Sequence, residues 1–219
     1  YESLLRVLTH EIRNSITPIA SLSDDLFTHT EEYTSMQLKE GLDVIHGQAQ
    51  SLKSFLDSYH RLTHLPEPEY KTVSVPALFT KLERLLQAEP RSERVVYCDG
   101  KADRSTGKEL QVYGDANLLT LALINLIRNA LQAVEGQEDG IVRVDTCAGA
   151  TGHLLIIITD NGPGIPPERL SAIFTPFFST KSGGSGIGLP ISQRIMQLHG
   201  GQLSVSSIPN VRTEFRMEF

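Results

Sequence analysis

Two runs of apolar residues at helical spacing fill the N-terminal part of the chain. In the first run, steps of three and four positions place the apolar residues on one stripe of a helix: Leu5, Leu8, Ile12, Ile16, Ile19, Leu22 and Leu26. In the second run, alternating steps of four and three describe a heptad seam: Leu38, Leu42, Ile45, Ala49, Leu52, Leu56 and Tyr59. The mostly polar stretch 28–35 joins the two runs and predicts an antiparallel hairpin. One hairpin cannot cover both stripes, so the pattern predicts a homodimer, formed through the hairpin, that closes a four-helix bundle.

A proline-containing segment separates this hairpin from a second part of the chain, in which the pattern predicts short strands as well as helices. In HLPEPEYKT (64–72), two prolines disfavour helix, so we predict a helical domain over 1–65, a linker over 66–72 and a second domain over 73–219. Periodicity in the second domain predicts helices near 75–87, 116–134 and 189–198, and strands near 94–98, 109–113, 141–147, 154–159, 202–207 and 213–219. Asp115 is predicted as the N-cap of the helix 116–134. Because strands and helices mix without regular alternation, we expect an α+β sandwich with its helices on one face of a mixed sheet.

Composition narrows the classes of function. The 219 residues are 40% hydrophobic with a net charge of −6, so the chain can bury a core but is a poor candidate for binding nucleic acid. Its two cysteines, Cys98 and Cys147, form no disulfide framework and predict a reducing, cytoplasmic setting. The longest apolar run, 154–158, is too short to span a bilayer. Because the chain begins inside a helical pattern without a methionine, we expect a fragment whose upstream module is missing.

A histidine stands in the middle of the first predicted helix, in LTHEIRNSITPI (8–19). Relative to the apolar stripe, His10 falls on the opposite side of the helix and should face solvent. If the neighbouring Glu11 accepts the proton of Nδ1, the lone pair of Nε2 is available as a nucleophile. Asn14 lies one turn further on the same face, where its amide would orient a water molecule, and Pro18 should bend the helix beyond it. A lone helical histidine is more often an ordinary surface or core residue, so these neighbours carry the hypothesis of a reactive side chain.

Two segments of the second domain are candidates for holding the electrophile that such a nucleophile needs. NLIRNALQAV (125–134) places two asparagines on one face of an apolar helix, where they either form core hydrogen bonds or offer oxygen ligands to Mg²⁺. DNGPGI (160–165) follows a buried strand. It is either a tight turn or a carboxylate that accepts from an exocyclic amine, beside glycines that admit a flat ligand.

Two further segments are rich in aromatic residues and in glycine. FTPFFSTK (174–181) either anchors a loop through its aromatic rings or forms a mobile lid whose lysine meets a phosphate. GGSGIGLPIS (183–192) is either a flexible linker or a helix start whose backbone N–H groups bind phosphate. It matches neither the Walker A nor the Rossmann fingerprint. Each of the four segments is a weak or moderate signal alone, and together, in this order and spacing, they are a strong one.

In this order the four segments resemble the N, G1, F and G2 boxes of the catalytic ATP-binding domain of bacterial sensor histidine kinases. That domain is related to ATPases of heat-shock chaperones, type II topoisomerases and mismatch repair. The first domain, with THEIRN (9–14) as its H box, resembles the dimerisation and histidine phosphotransfer domain of the same kinases. The resemblance covers essentially the whole chain and is closest in wording to nitrogen-regulation and C4-dicarboxylate sensor kinases.

The resemblance implies a function and roles for residues of the first domain. It implies an ATP- and Mg²⁺-dependent protein histidine kinase that passes its phosphoryl group to an aspartate of a response-regulator receiver domain. His10 would be the phosphoacceptor and Glu11 the general base, and Asn14 would position water in a phosphatase reaction on the regulator. It implies a cytoplasmic core, and anchoring of the full-length protein in the bacterial inner membrane is left open.

The resemblance also assigns residues to the nucleotide. Asn129 would ligate Mg²⁺, and Asn125 stands where the related ATPases carry a catalytic glutamate, so futile hydrolysis should be slow. Asp160 would accept a hydrogen bond from the adenine amine. Around it, three residues would contact the adenine and three the phosphates: Gly162, Gly164 and Thr213 on the adenine side, and Lys181, Gly186 and Gly188 on the phosphate side.

Two positions depart from the pattern of many such kinases. Ser15 stands where a proline is common after the histidine, and Gln132 stands where a lysine is common after Asn129. Either Arg128 or Lys181 would then supply the missing positive charge.

Two other classes of function stay open from the sequence. One is an ATPase or ATP-gated clamp of the chaperone or repair type. Asn125, in place of the catalytic glutamate, and the H box make this class less favoured. The other is a non-catalytic dimeric scaffold. This class is less favoured because all four boxes are present.

Overall fold

Two compact units follow one another along the chain, Tyr1–Leu65 and Pro66–Phe219. They are seen in a computed structural model that describes residues 2–98, 109–148, 153–180 and 185–219. In that part of the chain, none of the helices is both long enough and apolar enough to cross a membrane. Each unit has a fold of its own and is considered separately.

The first unit is a hairpin of two long helices, as the apolar pattern predicts. Helix α1 spans Glu2–Thr28 and remains helical through Pro18, and α2 spans Ser35–Thr63. Thr34 begins α2 with a capping box: its hydroxyl accepts from the N–H of Gln37, and the Gln37 side chain accepts from the N–H of Thr34. These reciprocal bonds satisfy backbone donors that the first turn of a helix otherwise leaves without partners.

The apolar stripes of the hairpin are covered only in part. The two helices approach closely at Gly41, where a Cβ atom would lie 2.7 Å from a methyl carbon of Leu26. Three residues of the predicted stripes nevertheless stay between 43% and 60% exposed in the single chain: Ile16, Leu42 and Leu56. Exposed apolar surface of this kind is typical of a face that meets a partner.

The described residues of the second unit form helices and a mixed sheet. The helices are α3 (Val75–Leu86), α4 (Ala116–Ala133) and α5 (Gly188–Leu198), and the strands are β1 (Lys71–Ser74), β2 (Val95–Tyr97), β3 (Gln111–Gly114), β4 (Val142–Ala148), β5 (Leu154–Asp160), β6 (Gln202–Ile208) and β7 (Arg212–Glu218). The larger sheet has the order β2-β4-β5-β7-β6, with β2 parallel to β4 and the other pairs antiparallel. A separate antiparallel pair, β1–β3, begins within the stretch predicted as a linker. The predicted α+β sandwich is confirmed.

The core of this unit lies between the sheet and its helices. Along β5, buried and half-buried residues alternate, and its Ile156 and Ile158 are almost completely buried. They belong to one core with residues of α4 and α5 such as Leu123, Ile127 and Ile195. Alternation of this kind is what a strand shows when one face of its sheet is covered by helices.

The entry into the second unit is fixed by the N-cap of α4. Asp115 accepts hydrogen bonds from the N–H groups of Asn117 and Leu118, as predicted for an N-cap, and also from that of Glu69, at 2.8–3.0 Å. Tyr70 donates its hydroxyl to the backbone at the end of α5, at 2.6 Å. Burial acts to raise the pKa of Asp115, but the three N–H donors outweigh it and hold that pKa below its usual range.

Candidate functional site

A cavity of about 600 Å³ opens in the second unit, and all four candidate segments contribute to its lining. Its walls come from α4, from the end of β5 and the loop that follows it, from the start of α5 and from β7. Concave sites of this size, with a few polar groups among apolar ones, are typical of small-molecule binding. The fold therefore brings together segments that lie far apart in the sequence.

A buried carboxylate lies at one end of the cavity. Asp160 is only 3% exposed and ends β5, and its Oδ1 accepts from the N–H of Gly162 at 3.0 Å. A Cβ atom on Gly162 would lie 2.7 Å from that same oxygen, so glycine is needed there for the carboxylate to keep its place. Thr213 pairs with Asp160 across β5 and β7 and is equally buried. A carboxylate and a hydroxyl at this depth are suited to the edge of a planar, amine-bearing ring.

The loop after β5 is held against the β6–β7 hairpin. Gly164 has a φ of +75°, and a Cβ atom there would lie 2.8 Å from the carbonyl oxygen of Ile208. The N–H of Ile165 donates to Oγ of Ser207 at 2.8 Å, and that oxygen lies 3.1 Å from the hydroxyl of Thr213. Ser207 was not predicted from the sequence, because only the register of β6 on β7 places it opposite Thr213.

The two asparagines of α4 have different surroundings. The side-chain nitrogen of Asn125 donates to the carbonyl oxygen of Gly188 at 3.3 Å, which ties α4 to the start of α5. A Cβ atom on Gly188 would only reach ordinary contact with Asn125, at 3.7 Å. Asn129 also lines the cavity, and its amide has no hydrogen-bond partner within the described part of the chain.

The donor set of the cavity fits a nucleotide-bound Mg²⁺ rather than an all-protein metal centre. Groups of three or more His, Cys, Asp or Glu side chains that would hold a metal are absent from the described residues. Asn129 offers an amide oxygen to the cavity, and Mg²⁺ commonly takes one or two protein oxygens together with phosphate oxygens and water.

The start of α5 and the aromatic loop form the side of the cavity for which phosphate contacts are predicted. Gly186 has a φ of +64°, its carbonyl accepts from the N–H of Phe177 at 2.9 Å, and a Cβ atom there would lie 2.5 Å from the Phe177 backbone. Ile187, which immediately precedes α5, makes no side-chain cap, so among the described residues no capping side chain takes up the first N–H groups of α5, which are donors suited to an anion. Lys181, predicted to contact phosphate, lies outside the described residues.

Positive charge at the cavity comes from arginine in the described part of the chain. Arg128 lines the cavity and is paired with Glu89: its Nε lies 2.9 Å from Oε1, and its Nη2 contacts the same oxygen. Gln132, at the position where related kinases often carry lysine, is also in the lining. Arg169, which was not predicted from the sequence, is a further lining residue.

In the first unit, the three predicted residues meet around one ring nitrogen. The side chain of His10 is 73% exposed, as the position opposite the stripe predicts. The amide nitrogen of Asn14 lies 2.9 Å from Nδ1, and Oε1 of Glu11 lies 3.7 Å from it. When Nδ1 carries the proton, the Asn14 amide presents its oxygen instead and the lone pair of Nε2 is free.

Comparison with known families and proteins identifies the class of protein to which this fold and cavity are similar. Residues 114–219 match the family described as histidine kinase-, DNA gyrase B-, and HSP90-like ATPase. The chain is 30% identical over 203 residues to the sensor histidine kinase ZraS of Salmonella typhimurium, covering 92% of this chain and 42% of ZraS. It is 32% identical over 220 residues to the sensory histidine kinase/phosphatase NtrB of Vibrio alginolyticus, covering 96% of this chain and 60% of NtrB. The chain is therefore homologous to the cytoplasmic core of sensor histidine kinases.

The fold of both units recurs in a solved structure. The crystal structure of the histidine kinase ThkA in complex with the response regulator TrrA matches with a TM-score of 0.64 and 24% identity, over 100% of this chain and 60% of that chain. The present chain thus spans less than two thirds of ThkA, ZraS and NtrB.

Proposed function

We propose that this chain is the catalytic core of an ATP-dependent protein histidine kinase that phosphorylates His10. The observation that carries the proposal is the cavity of the second unit, where buried Asp160 lies in one lining with Asn129 and Gly186. The cavity thereby offers an acceptor for an amine, an oxygen for a cation and backbone N–H groups for phosphates. The exposed His10, with an amide and a carboxylate beside its ring, supplies the matching nucleophile.

The polarity of the cavity gives ATP one orientation. The adenine amine donates to Asp160, beside Gly162, Gly164 and Thr213, and the phosphates lie towards Asn129 and the start of α5. Asn129 would hold Mg²⁺, which would offset the negative charge of the phosphates when bound. Asn125 cannot act as a base towards water, because an amide has no basic lone pair of that strength, so hydrolysis without transfer is slow.

The chemical step needs a nucleophile with a free lone pair and a place for the ring proton. Nε2 of His10 forms a bond to the γ-phosphorus, the bond from that phosphorus to the bridging oxygen breaks, and ADP leaves. Glu11 takes the proton of Nδ1 as positive charge builds on the ring. At 3.7 Å in the present rotamer, its carboxylate needs only a small shift to reach Nδ1, because both side chains are exposed.

The phosphoryl group then has a natural acceptor. We infer transfer to an aspartate of a response-regulator receiver domain, which agrees with the presence of the regulator TrrA in the ThkA crystal structure. NtrB is named a kinase/phosphatase, and we infer the same double activity here, with Asn14 orienting the attacking water. An Asn14→Ala variant should then keep autophosphorylation and lose dephosphorylation of the regulator.

Dimerisation through the hairpin completes the proposed assembly. The stripe residues Ile16, Leu42 and Leu56 stay exposed in the single chain, and a second hairpin would cover them in a four-helix bundle. Sedimentation equilibrium should give twice the chain mass for wild type. It should give a monomer for Leu42→Glu, which places a charge in the proposed interface.

The first experiment is incubation with γ-labelled ATP and Mg²⁺, for wild type and for His10→Gln. Acid-labile, base-stable label that is absent from the variant is the expected result, because phosphohistidine has that stability. Label that survives in the variant would place the phosphosite elsewhere. Intact nucleotide binding without any label would favour the scaffold hypothesis, and steady ATP turnover that does not need His10 would favour the ATPase hypothesis.

A further inference from the structure

Arg128 stands between the candidate nucleotide cavity and an acidic residue. It is on α4 beside Asn129, the residue proposed for Mg²⁺, and its side chain lines the cavity. Its Nε and Nη2 both contact one carboxylate oxygen of Glu89, in the segment that follows α3. Glu89 itself is outside the cavity lining. The guanidinium of Arg128 is therefore bound by Glu89 through Nε and Nη2, while the same side chain lines the cavity in which phosphates are expected.

The ion pair is of a kind that a better anion can displace. The side chain of Arg128 is 52% exposed and that of Glu89 27%, so solvent weakens their attraction. A triphosphate carries more negative charge than one carboxylate, and the planar guanidinium matches phosphate oxygens with two parallel N–H groups. Arginine can therefore leave Glu89 for a bound triphosphate at small cost.

The sequence of α4 leaves the face that lines the cavity without a positive charge at Gln132, so a nearby arginine is needed to bind phosphates. Gln132 brings no positive charge to the face of α4 that lines the cavity, whereas Arg128 is one turn earlier on that face. The other lining arginine in the described residues, Arg169, belongs to the short turn Pro167–Arg169 in the loop after β5 rather than to α4. Among the described residues, Arg128 is thus the lining arginine next to the proposed Mg²⁺ ligand in sequence.

We propose that Arg128 binds the terminal phosphates of ATP and that Glu89 holds it in the nucleotide-free state, so that binding exchanges one partner for the other. This inference rests on the proposed function, because it requires ATP in this cavity. It makes Glu89 a residue that lowers nucleotide affinity, through Arg128 and not through contact with the ligand.

The test is calorimetric titration of the whole chain with Mg²⁺-ATP and, separately, with adenosine. Arg128→Gln should weaken ATP binding roughly tenfold and leave adenosine binding unchanged, because adenosine has no phosphates. Glu89→Gln should strengthen ATP binding about two- to fivefold by freeing Arg128. The double variant should bind ATP like Arg128→Gln alone, since Glu89 acts only through the arginine.

A matched pair elsewhere in the unit serves as control. Arg91 and Glu135 form a similarly exposed ion pair, 2.8 Å long, outside the cavity lining, so Glu135→Gln should leave both affinities unchanged. Equal ATP affinity of Arg128→Gln and wild type would overturn the exchange and leave the kinase proposal standing. A gain from Glu89→Gln that persists in the double variant would overturn it too, because Glu89 would then act by its own charge. Failure of wild type to bind ATP would instead contradict the proposed function.

Discussion

The two side chains at the centre of the proposed chemistry lie in opposite surroundings. His10 is largely exposed on a helix, and its contacts come from Glu11 and Asn14 on the same turn and a half of α1. Asp160 is buried, and its surroundings come from the strand β7, the loop after β5 and the helix α4. One site is made by helical spacing alone, whereas the other exists only after the whole second unit has folded.

This difference separates what each residue can do. An exposed imidazole on a helix is accessible to both proposed partners in turn, a nucleotide and a receiver domain. A carboxylate held by a backbone N–H in a cavity discriminates among ligands, because an unmatched buried polar group is costly. The exposed imidazole thus belongs to the helical hairpin, and the carboxylate that would select the ligand belongs to the sandwich.

The largest expected effect tests this separation through Asp160→Asn. The amide oxygen can still accept from the N–H of Gly162, but its NH₂ group would face the adenine amine, donor against donor. We expect roughly a hundredfold weaker ATP binding, or about 2.7 kcal/mol, by titration calorimetry. His10→Gln should bind ATP like wild type. Equal loss in both variants would mean that the two sites do not act separately.

The second effect is a loss of stability caused by a substitution in the loop after β5, at Gly164. Gly164→Ala forces a side chain into a φ of +75° with its Cβ 2.8 Å from the carbonyl oxygen of Ile208. We expect a loss of about 2 kcal/mol or more in the unfolding free energy of the second unit, by urea denaturation followed at a probe in that unit. Gly188→Ala is the control, since its Cβ meets only ordinary contacts. An unchanged midpoint for Gly164→Ala would show that the loop is free to move away from the β6–β7 hairpin.

Local spacing predicted the hairpin and the exposure of His10, because helical periodicity and i to i+4 geometry depend on neighbours in sequence. The same holds for Asp115, whose N-cap position follows from the apolar run after it. The cavity was different: the four boxes were found through resemblance, and their convergence needed the fold. Ser207 and Glu89 carried no signal, because a strand register brings one to Thr213 and a contact between distant segments brings the other to Arg128.

A third, smaller effect should appear as a pH dependence of the second unit. Because the folded-state pKa of Asp115 is lowered, its stabilising contribution is complete above the unfolded value of about 3.9 and is lost as the pH falls through the folded value below it. Asp115→Asn should cost about 1 kcal/mol or more at neutral pH, because the asparagine oxygen still accepts from Asn117 and Leu118, but the charge is lost and the NH₂ group cannot accept from the N–H of Glu69. The variant should also flatten the acid limb of a stability–pH profile. Asp139→Asn, which changes an exposed carboxylate of the same unit, should leave that limb as it is in wild type.

The smallest effect contrasts two glycines of α2 and returns to the hairpin. A Cβ atom on Gly47 would meet nothing within 4 Å, so Gly47→Ala should stabilise the first unit by about 0.5–1 kcal/mol through helix propensity alone. Gly41→Ala has the same local gain but places its Cβ 2.7 Å from a methyl carbon of Leu26, so that side chain must shift and the net gain should be smaller than for Gly47→Ala. Both are measured as the midpoint of helix loss in urea at one protein concentration, because dimerisation would make that midpoint concentration-dependent. If both variants were stabilised alike, the contact between α1 and α2 would be too loose to matter, and the hairpin would follow helix propensity alone.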